Sequence, residues 1–389
     1  MANARYLIGN RTAMSTVSAE RKMTADELLE IMCANSSDNK ASLYNDSIES
    51  VSPGLFWNAT AINAGNNNWL EEIVLPNCTS VAYRTFYRCS ALKRLILPKL
   101  TYCAYSSSFQ YLSSIEELDI GNVVTTSKIS LTGANVNGFT IYIGDGYYGG
   151  TSLEGLLSIP STVTGPVKVV FNGSKVGDKV LYKLTHQVDV EILDSVTSIG
   201  KECFRECTGL TSVTIPNSVT SIGNNCFFGC TGLTSAGPIG GDYDYKFGWR
   251  NEIPENAFYG CTGLTSVTIP NAVTSLGDRC FYGCTALTQV TIPDSVTLVG
   301  SECFADCTGL TQVTIPESVT SLGGACFAGC TGLTQLTSLS TTPPKTGINC
   351  FLNVNKAIPV YVPSESISKY RDSYLWNEFT NIQAIPETN

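Results

Sequence analysis

Hydrophobic and polar residues alternate in short runs that recur along the chain. In the segment LTSVTIP, residues 264–270, Val267 and Ile269 alternate with serine and threonine. This period of two is typical of a short strand with one buried face. Pro270 should end the strand, because proline cannot donate a hydrogen bond to a sheet. The pattern therefore predicts many short strands separated by turns.

A second apolar segment follows each of these strands. Val273 and Leu276 form it in this part of the chain, before a glycine closes it. A phenylalanine then lies between Cys280 and Cys284, whose spacing predicts that both cysteines share one face of a helical turn. No single unit of this size can bury its own apolar side chains, so neighbouring units are expected to stack.

The whole unit repeats with a period of 23 residues, which is the strongest signal in the sequence. Residues 264–286, 287–309 and 310–332 are nearly the same, and the step from Phe227 to Phe258 is one period plus eight residues. Stacking turns equivalent positions into columns and gives a core that is continuous in one dimension. The columns are marked by Ile192, Ile215, Ile269, Ile292 and Ile315, and by Phe86, Phe109, Phe204, Phe227, Phe258, Phe281, Phe304 and Phe327.

These columns predict a repeat solenoid of about a dozen coils with short parallel strands, capped at both ends. The predicted solenoid covers residues 69–362, is irregular over 121–190 and carries an insertion at 237–255. Residues 1–68 would form a cap or a docking element with a short helix, and residues 363–389 a C-terminal cap. Caps are expected because an open stack exposes its apolar cross-section. A capping box at Thr24–Glu27 begins the predicted helix of residues 24–32.

The repeat LTxVTIPxSVTSIGxxCFxGCTG resembles the BspA-like, or Treponema-type, leucine-rich repeats. The match covers roughly residues 69–362 and is most specific between 188 and 335. Ala257 departs from it where neighbouring coils have cysteine, and residues 121–190 lose the IP and CF motifs. The resemblance implies a right-handed leucine-rich-repeat superhelix and extracellular binding, adhesion or host contact, without enzymatic activity. Similar repeats also occur in parts of phage and prophage proteins.

Composition and charge argue against several classes of protein. Of the 389 residues 15% are charged and 43% hydrophobic, which predicts a folded chain. The net charge of −9 gives no electrostatic basis for nucleic-acid binding. No apolar stretch approaches the roughly 20 residues that span a bilayer. Arg5, Arg11 and Glu20 interrupt the start, so no signal peptide is predicted, and the chain would be a trimmed one or leave its cell by another route.

Sixteen cysteines raise the question of disulfides or zinc. Most of them fall into two columns, and the two columns vary independently. Cys261 of the second column has Ala257, not a cysteine, at the matching position of the first column, whereas a disulfide inside each coil would require cysteine at both positions. Buried free thiols are therefore the favoured interpretation, with some disulfides or a metal site as the alternatives. The first column holds Cys203, Cys226, Cys280, Cys303, Cys326 and Cys350, and the second Cys89, Cys207, Cys230, Cys261, Cys284, Cys307 and Cys330.

Catalytic, cofactor and metal sites are not predicted. His186 is the only histidine, and no spacing pairs it with a nucleophile. Glycine-rich nucleotide-binding motifs are absent, and Asp242 and Asp244 lack the other ligands of a calcium loop. We predict no catalytic residues, no cofactor and no metal.

Two aromatic segments are the predicted partner contacts. The insertion 237–255 concentrates residue types that are enriched at binding hot spots, and the segment 144–150 is a second candidate. Folding back as structural cover is the alternative for both. The candidate contacts are Tyr243, Tyr245, Phe247, Trp249 and Arg250 in the first segment, and Tyr147 and Tyr148 in the second.

The sequence therefore predicts a non-catalytic binding or adhesion protein, located outside the cell or on its surface. Its rigid repeat surface would bind a protein or glycan on a cell surface. The alternative is a phage or prophage virion component, such as a tail, fibre or capsid-decorating protein, that uses the solenoid for receptor contact or structure. Neither nucleic acid nor a membrane span is predicted. Residues 1–68 could support a homo-oligomer or a larger assembly.

Overall fold

The computed structural model is a parallel-strand β solenoid of about 12 turns with little helix, which confirms the predicted fold class. The chain divides into two compact units, Met1–Ser195 and Val196–Asn389. The predicted helix of residues 24–32 and most of the insertion lie outside the described residues. The structure describes residues 3–8, 11–16, 41–46, 48–51, 56, 70–103, 105–125, 128–145, 147–148, 155–216, 218–236 and 252–386.

In the first unit most coils contribute one longer and one shorter strand, numbered here in chain order, whereas two coils contribute two shorter strands. The hairpin of β1 (Asn3–Ile8) and β2 (Arg11–Thr16) joins β3 in antiparallel fashion. The longer strands pair in parallel in the order β3 (Ala41–Asn45), β5 (Leu70–Val74), β7 (Arg94–Ile96), β9 (Glu117–Asp119), β12 (Phe139–Ile143), β15 (Val167–Phe171) and β17 (Val188–Ile192). The shorter strands are β4 (Ser50–Val51), β6 (Ser80–Val81), β8 (Tyr102–Cys103), β10 (Val124–Thr125), β11 (Ile129–Ser130), β13 (Tyr147–Tyr148), β14 (Leu157–Ser158) and β16 (Lys175–Val176).

The second unit repeats the same two-strand coil. Val290 pairs with Val313, one period later, as the sequence period requires. The strands equivalent to the longer ones of the first unit, although two of them have only two residues, are β19 (Leu210–Thr214), β21 (Ser235–Ala236), β23 (Ser266–Val267), β25 (Gln289–Thr291), β27 (Gln312–Ile315), β29 (Gln335–Ser338), β31 (Pro359–Val362) and β32 (Asn381–Ala384). The shorter strands are β18 (Ser198–Ile199), β20 (Ser221–Ile222), β22 (Glu252–Ile253), β24 (Ser275–Leu276), β26 (Leu298–Val299), β28 (Ser321–Leu322) and β30 (Lys345–Thr346).

The predicted proline stop is visible between the two strands of a coil. Strand β27 ends at Ile315, directly before Pro316, and the Pro316 carbonyl accepts a hydrogen bond from the Val319 amide at 3.2 Å. The turn leads the chain into β28. Val313, Ile315 and Val319 are buried, whereas Gln312, the first residue of β27, is exposed.

Phenylalanine columns form the centre of both units. In the first unit Phe86 stacks on Phe56 and Phe109, with ring centroids 5.1 and 6.0 Å apart. In the second unit the rings from Phe204 to Phe351 stack almost in parallel at centroid distances between 5.0 and 6.0 Å. Every ring in these columns is buried. The columns convert the sequence period into a continuous core.

The segment around each phenylalanine is not the helical turn that the cysteine spacing predicts. The amides of Tyr282 and Cys284 donate to carbonyls three residues back, whereas the Phe281 amide donates to Cys303 of the next coil at 2.9 Å. Arg279 has a φ of 55°, in the left-handed region. Successive turns tied to the next coil therefore replace a helix, although Cys280 and Cys284 are both buried as predicted.

The C-terminal residues cover the last coil. Helix α1 (Ile367–Asp372) and a short 3-10 turn, Trp376–Glu378, hold the fully buried rings of Tyr370 and Trp376. The Trp376 indole donates to the Pro344 carbonyl at 3.0 Å, and its ring meets Phe351 edge to face at 5.0 Å. The phenylalanine column therefore ends against an aromatic cluster.

Candidate interaction surface

The residues predicted as partner contacts are only partly described. Tyr243, Tyr245, Phe247, Trp249 and Arg250 lie outside the described residues. Tyr147 and Tyr148 form β13, and Tyr147 pairs with Val124 of β10. The backbone of Tyr147 and Tyr148 therefore belongs to a strand of the coil.

The outward side chains of the longer strands in the second unit make a polar face with little charge. Threonines 214, 268, 291 and 314 are exposed there, and Thr337 is half-buried. Gln335 donates to the amide oxygen of Gln312 in the preceding coil at 3.3 Å. A face of repeated hydroxyls and amides offers few features that distinguish one partner from another.

A different surface lies in the first unit, on the turns that follow β6 and β8. We call it the tyrosine–arginine surface. It combines aromatic rings and guanidinium groups from two successive coils, which the stacking brings together although they are more than 20 residues apart in sequence. Its members are Tyr83, Arg84, Tyr87, Arg88, Tyr105 and Tyr111.

Each guanidinium of this surface lies between two tyrosine rings. The Arg84 guanidinium carbon is 4.9 Å from the ring centroid of Tyr83 and 4.8 Å from that of Tyr87. The Arg88 carbon is 5.4 Å from Tyr87 and 5.5 Å from Tyr111. These distances fall within the range of cation–π attraction. The tyrosines therefore hold both cations in place.

The rings also contact one another across the two coils. Tyr83 meets Tyr105 edge to face at 5.2 Å, and Tyr87 meets Tyr111 in the same way at 5.3 Å. Tyr83, Tyr105 and Tyr111 are nevertheless 41%, 52% and 39% exposed. Arg88 is exposed and Arg84 is half-buried. The surface is thus ordered by its own contacts and open to solvent.

The backbone explains how these side chains reach the surface but not why they are tyrosine and arginine. Arg84, Arg88 and Tyr111 have φ values of 53°, 61° and 62°. Glycine adopts this left-handed region at the least cost, and asparagine tolerates it. Equivalent turns of the second unit use Asn256 and Gly260. The arginines at 84 and 88 are therefore not required by the fold.

A glycine makes room for the last ring of the surface. Gly133, in the coil after Tyr111, has a φ of 72°, and a Cβ added there would lie 2.6 Å from Cδ1 of Tyr111. Any side chain at this position would have to displace the tyrosine ring. Gly133 therefore supports the surface indirectly.

The second unit carries a related but more closed arrangement. Phe228, Tyr259 and Tyr282 stack face to face at 4.5 and 4.7 Å, and Arg205 lies over Phe228 at 4.2 Å. The Tyr282 hydroxyl donates to Asp306 at 2.6 Å, and this hydrogen bond, with burial, raises the pKa of Tyr282 to about 12. Because the ring faces cover one another, this ladder offers mainly ring edges to a partner.

The described cysteines do not form a metal site. All fifteen described cysteines are free and buried, and Cys33 lies outside the described residues. Burial raises the pKa of Cys89 and of Cys261 to about 12. The Cys307 thiol donates to the Phe281 carbonyl in the preceding coil at 3.1 Å. The second cysteine column thus contributes hydrogen bonds between coils, which the sequence analysis did not anticipate.

Metal ligands are not clustered in the described part of the chain. No group of three or more histidine, cysteine, aspartate or glutamate residues there could hold a metal ion. His186 is half-buried, and burial lowers its pKa. None of the described helices is long and apolar enough to cross a membrane.

The period of Phe86 and Phe109 predicts the core column but not the tyrosine–arginine surface beside it. The segment YRTFYR, residues 83–88, places two arginines and two tyrosines around a core phenylalanine. Stacking by one period predicts that the next coil lies beside it, so residues 105–111 could have been added. The sequence signal for this surface was therefore the presence of tyrosine and arginine at equivalent positions of two successive repeats.

The repeat sequence, the two-strand coils and the stacked core together define the family. A family model described as BspA type leucine rich repeat region matches in 6 copies, over residues 63–175, 174–237 and 251–382. These ranges include more than half of the chain. The protein belongs to the BspA-type leucine-rich repeat family. No curated protein matched the sequence.

Several solved structures are similar to the chain. A leucine-rich repeat protein from Bacteroides ovatus is 19% identical, with a TM-score of 0.40 and 99% of each chain covered. A leucine rich cell surface protein from Faecalibacterium prausnitzii is 19% identical, with a TM-score of 0.27 and 86% and 93% covered. The pneumococcal vaccine antigen PcpA is 16% identical, with a TM-score of 0.32 and 82% and 68% covered.

Proposed function

We propose that the protein is a non-catalytic binding protein of the cell surface or the extracellular space, whose solenoid binds a protein or glycan of another cell. Membership of the BspA-type family supports a repeat protein without enzymatic activity. The single observation that carries the proposal is the tyrosine–arginine surface, which is exposed, ordered and not required by the fold. Tyrosine and arginine are enriched among residues that dominate binding energy.

The insertion 237–255 is a second proposed contact. Its Tyr245 and Trp249 would add aromatic area to a unit whose described strand face is dominated by threonine, serine and glutamine. No feature of the described residues favours the virion role over the cell-surface role. That alternative stays a sequence-based prediction.

The proposal is tested by measuring the binding of the fluorescently labelled full chain to a panel of cell types. We expect saturable binding that is reduced when surface proteins are digested or when surface glycans are removed enzymatically. The variant with Tyr245→Ala and Trp249→Ala measures the contribution of the insertion, and Thr308→Ala, an exposed position, is the control. Circular dichroism should show an intact fold in each variant. Absence of saturable binding to any cell type tested would contradict the proposed function.

A further inference from the structure

We propose that the tyrosine–arginine surface binds an acidic polysaccharide. In this complex Arg88 would pair with a carboxylate or sulfate group, Arg84 would order the rings behind it, and the exposed tyrosines would contact the sugar rings. This inference rests on the proposed binding function and names the chemical class of its partner.

The charge of the surface selects an anionic ligand. Arg88 is exposed, and its guanidinium stacks between Tyr87 and Tyr111 at 5.4 and 5.5 Å. A planar guanidinium that stacks on aromatic faces still presents N–H donors at its edge, in a fork that matches carboxylate and sulfate oxygens. Because the two rings already fix the side chain, less conformational freedom is lost on binding.

The two cations are close enough to act on one flexible polyanion. The guanidinium carbons of Arg84 and Arg88 lie 4.8 and 5.4 Å from the same Tyr87 centroid. They cannot be farther apart than those two distances combined. A polymer with repeated acidic groups can therefore contact Arg88 and still lie within the field of Arg84.

The tyrosines favour a polysaccharide over an acidic peptide. Tyr83, Tyr105 and Tyr111 expose between 39% and 52% of their area beside the cations. A tyrosine has an apolar body and a polar hydroxyl, so it suits a ligand that offers both C–H faces and hydroxyl groups. Each unit of an acidic polysaccharide combines these features with an anionic group. An acidic peptide would need the cations but would gain little from three exposed rings.

The local positive charge stands out because the chain as a whole is acidic, with a net charge of −9. Long-range attraction of a polyanion is therefore not expected, and binding should depend on the contacts at this surface. Polyanion binding to guanidinium groups weakens as salt rises, because salt screens charge. Contacts with the tyrosine rings should persist, so the salt dependence is expected to be moderate.

The test uses the folded full chain and four probes in calorimetric titrations. Hyaluronate carries carboxylates, heparin carries sulfates as well, dextran is a neutral polysaccharide and polyglutamate is an acidic peptide. We expect binding to hyaluronate, heparin or both, and none to dextran. The relative affinity for the first two distinguishes a carboxylate from a sulfate ligand.

Variants of the surface distinguish the contribution of the arginines to the affinity from that of the tyrosine rings. Loss of a charge-assisted hydrogen bond predicts that Arg88→Gln weakens binding by about tenfold or more. Arg88→Lys keeps the charge but lacks the planar fork, so its affinity should lie between those of the wild type and Arg88→Gln. Tyr83→Ala combined with Tyr105→Ala should weaken polysaccharide binding comparably. Arg279→Gln removes an exposed arginine of the second unit and should change the affinity by less than about twofold.

Several results would overturn the inference. Binding of polyglutamate as tight as that of the polysaccharides, with no effect of the tyrosine variants, would identify an acidic peptide as the ligand. Equal losses in Arg88→Gln and Arg279→Gln would indicate unspecific charge attraction. If no polyanion binds but cells still bind the chain, the partner class is wrong and the binding function stands. Loss of cell binding as well would contradict both.

Discussion

The rings of Phe304 and Phe327 lie parallel in successive coils, with centroids 5.5 Å apart and planes 5° apart. Phe304 stacks in the same way on Phe281 at 5.4 Å, and its side chain is fully buried. Its ring is therefore packed between two neighbours of the same kind. The phenylalanine column is the element through which each coil of the second unit supports the next.

Replacing Phe304 by alanine should strongly destabilise the second unit. The substitution leaves a cavity between two rings, and such truncations cost about 3–5 kcal/mol. Urea denaturation followed by circular dichroism measures the loss. Thr308→Ala in the same coil, at an exposed position, should stay within about 0.5 kcal/mol. A cost below about 1 kcal/mol for Phe304→Ala would mean that the column does not carry the core.

The native protein should expose few reactive thiols. The described cysteines are buried, and burial raises the pKa of Cys89, Cys261 and Cys330 to about 12, so thiolate is scarce at neutral pH. Only the thiolate reacts readily. Titration with a thiol reagent should detect few groups in the folded chain and nearly all sixteen after denaturation without reductant. If most thiols failed to appear until a reductant was added, disulfides would replace the free-thiol interpretation.

Tyr282 should titrate at higher pH than an ordinary tyrosine. Its hydrogen bond to Asp306 raises its pKa from 10.0 to about 12, so the folded state binds the proton more tightly than the unfolded state. This contribution to stability is complete below pH 10 and is lost as the pH rises toward 12. Nuclear magnetic resonance of ring-labelled tyrosine, with Tyr282→Phe for assignment, measures the pKa.

Two carboxylate variants decide the cause of that shift. Asp306→Asn should lower the pKa of Tyr282 toward 10, because the charged acceptor is lost. Asp294→Asn, at an exposed turn, should leave it unchanged. A pKa near 10 in the wild type, or the same pKa in Asp306→Asn, would show that this hydrogen bond does not hold the phenol in its protonated form.

The C-terminal cap should depend on the Tyr370 hydroxyl. This group lies 2.7 Å from the Ser338 hydroxyl and donates to the Ser340 carbonyl at 2.9 Å, in a buried site. Tyr370→Phe leaves both buried partners short of a hydrogen bond, at a cost of about 1–3 kcal/mol. Tyr374→Phe is the matched control, because Tyr374 is 62% exposed and should show almost no effect. Equal urea midpoints for the two variants would contradict this role.

The strand pattern and the core could be predicted from the sequence because both depend on the alternation of apolar and polar residues within each repeat. Val267 and Ile269 alternate with polar residues and are buried as expected. The helical turn predicted from the spacing of Cys280 and Cys284 was wrong. A helical turn and two successive turns place two such residues on one side equally well. The turns are selected by hydrogen bonds to the next coil, such as that from the Phe281 amide to Cys303, which local spacing does not reveal.

The tyrosine–arginine surface shows a second limit of sequence patterns. A repeat reveals the positions that recur in every coil. It does not reveal which of the positions that differ from coil to coil are important. Tyr87 and Tyr111 come together only because one coil stacks on another. Their importance is visible once exposure and ring geometry are known, and neither quantity follows from the period alone.

The turns of successive coils join in the same way, and this uniformity bears on how such a gene can change. The Phe281 amide donates to Cys303, and the Phe304 amide donates to Cys326, both at 2.9 Å. Deletion of residues 287–309 would present Cys326 to Phe281 with the same donor and acceptor. Removal or duplication of one whole coil of this kind therefore creates no new type of junction. Arg84 and Arg88 lie together in one coil of the first unit, so a change in the number of these regular coils leaves both arginines in place.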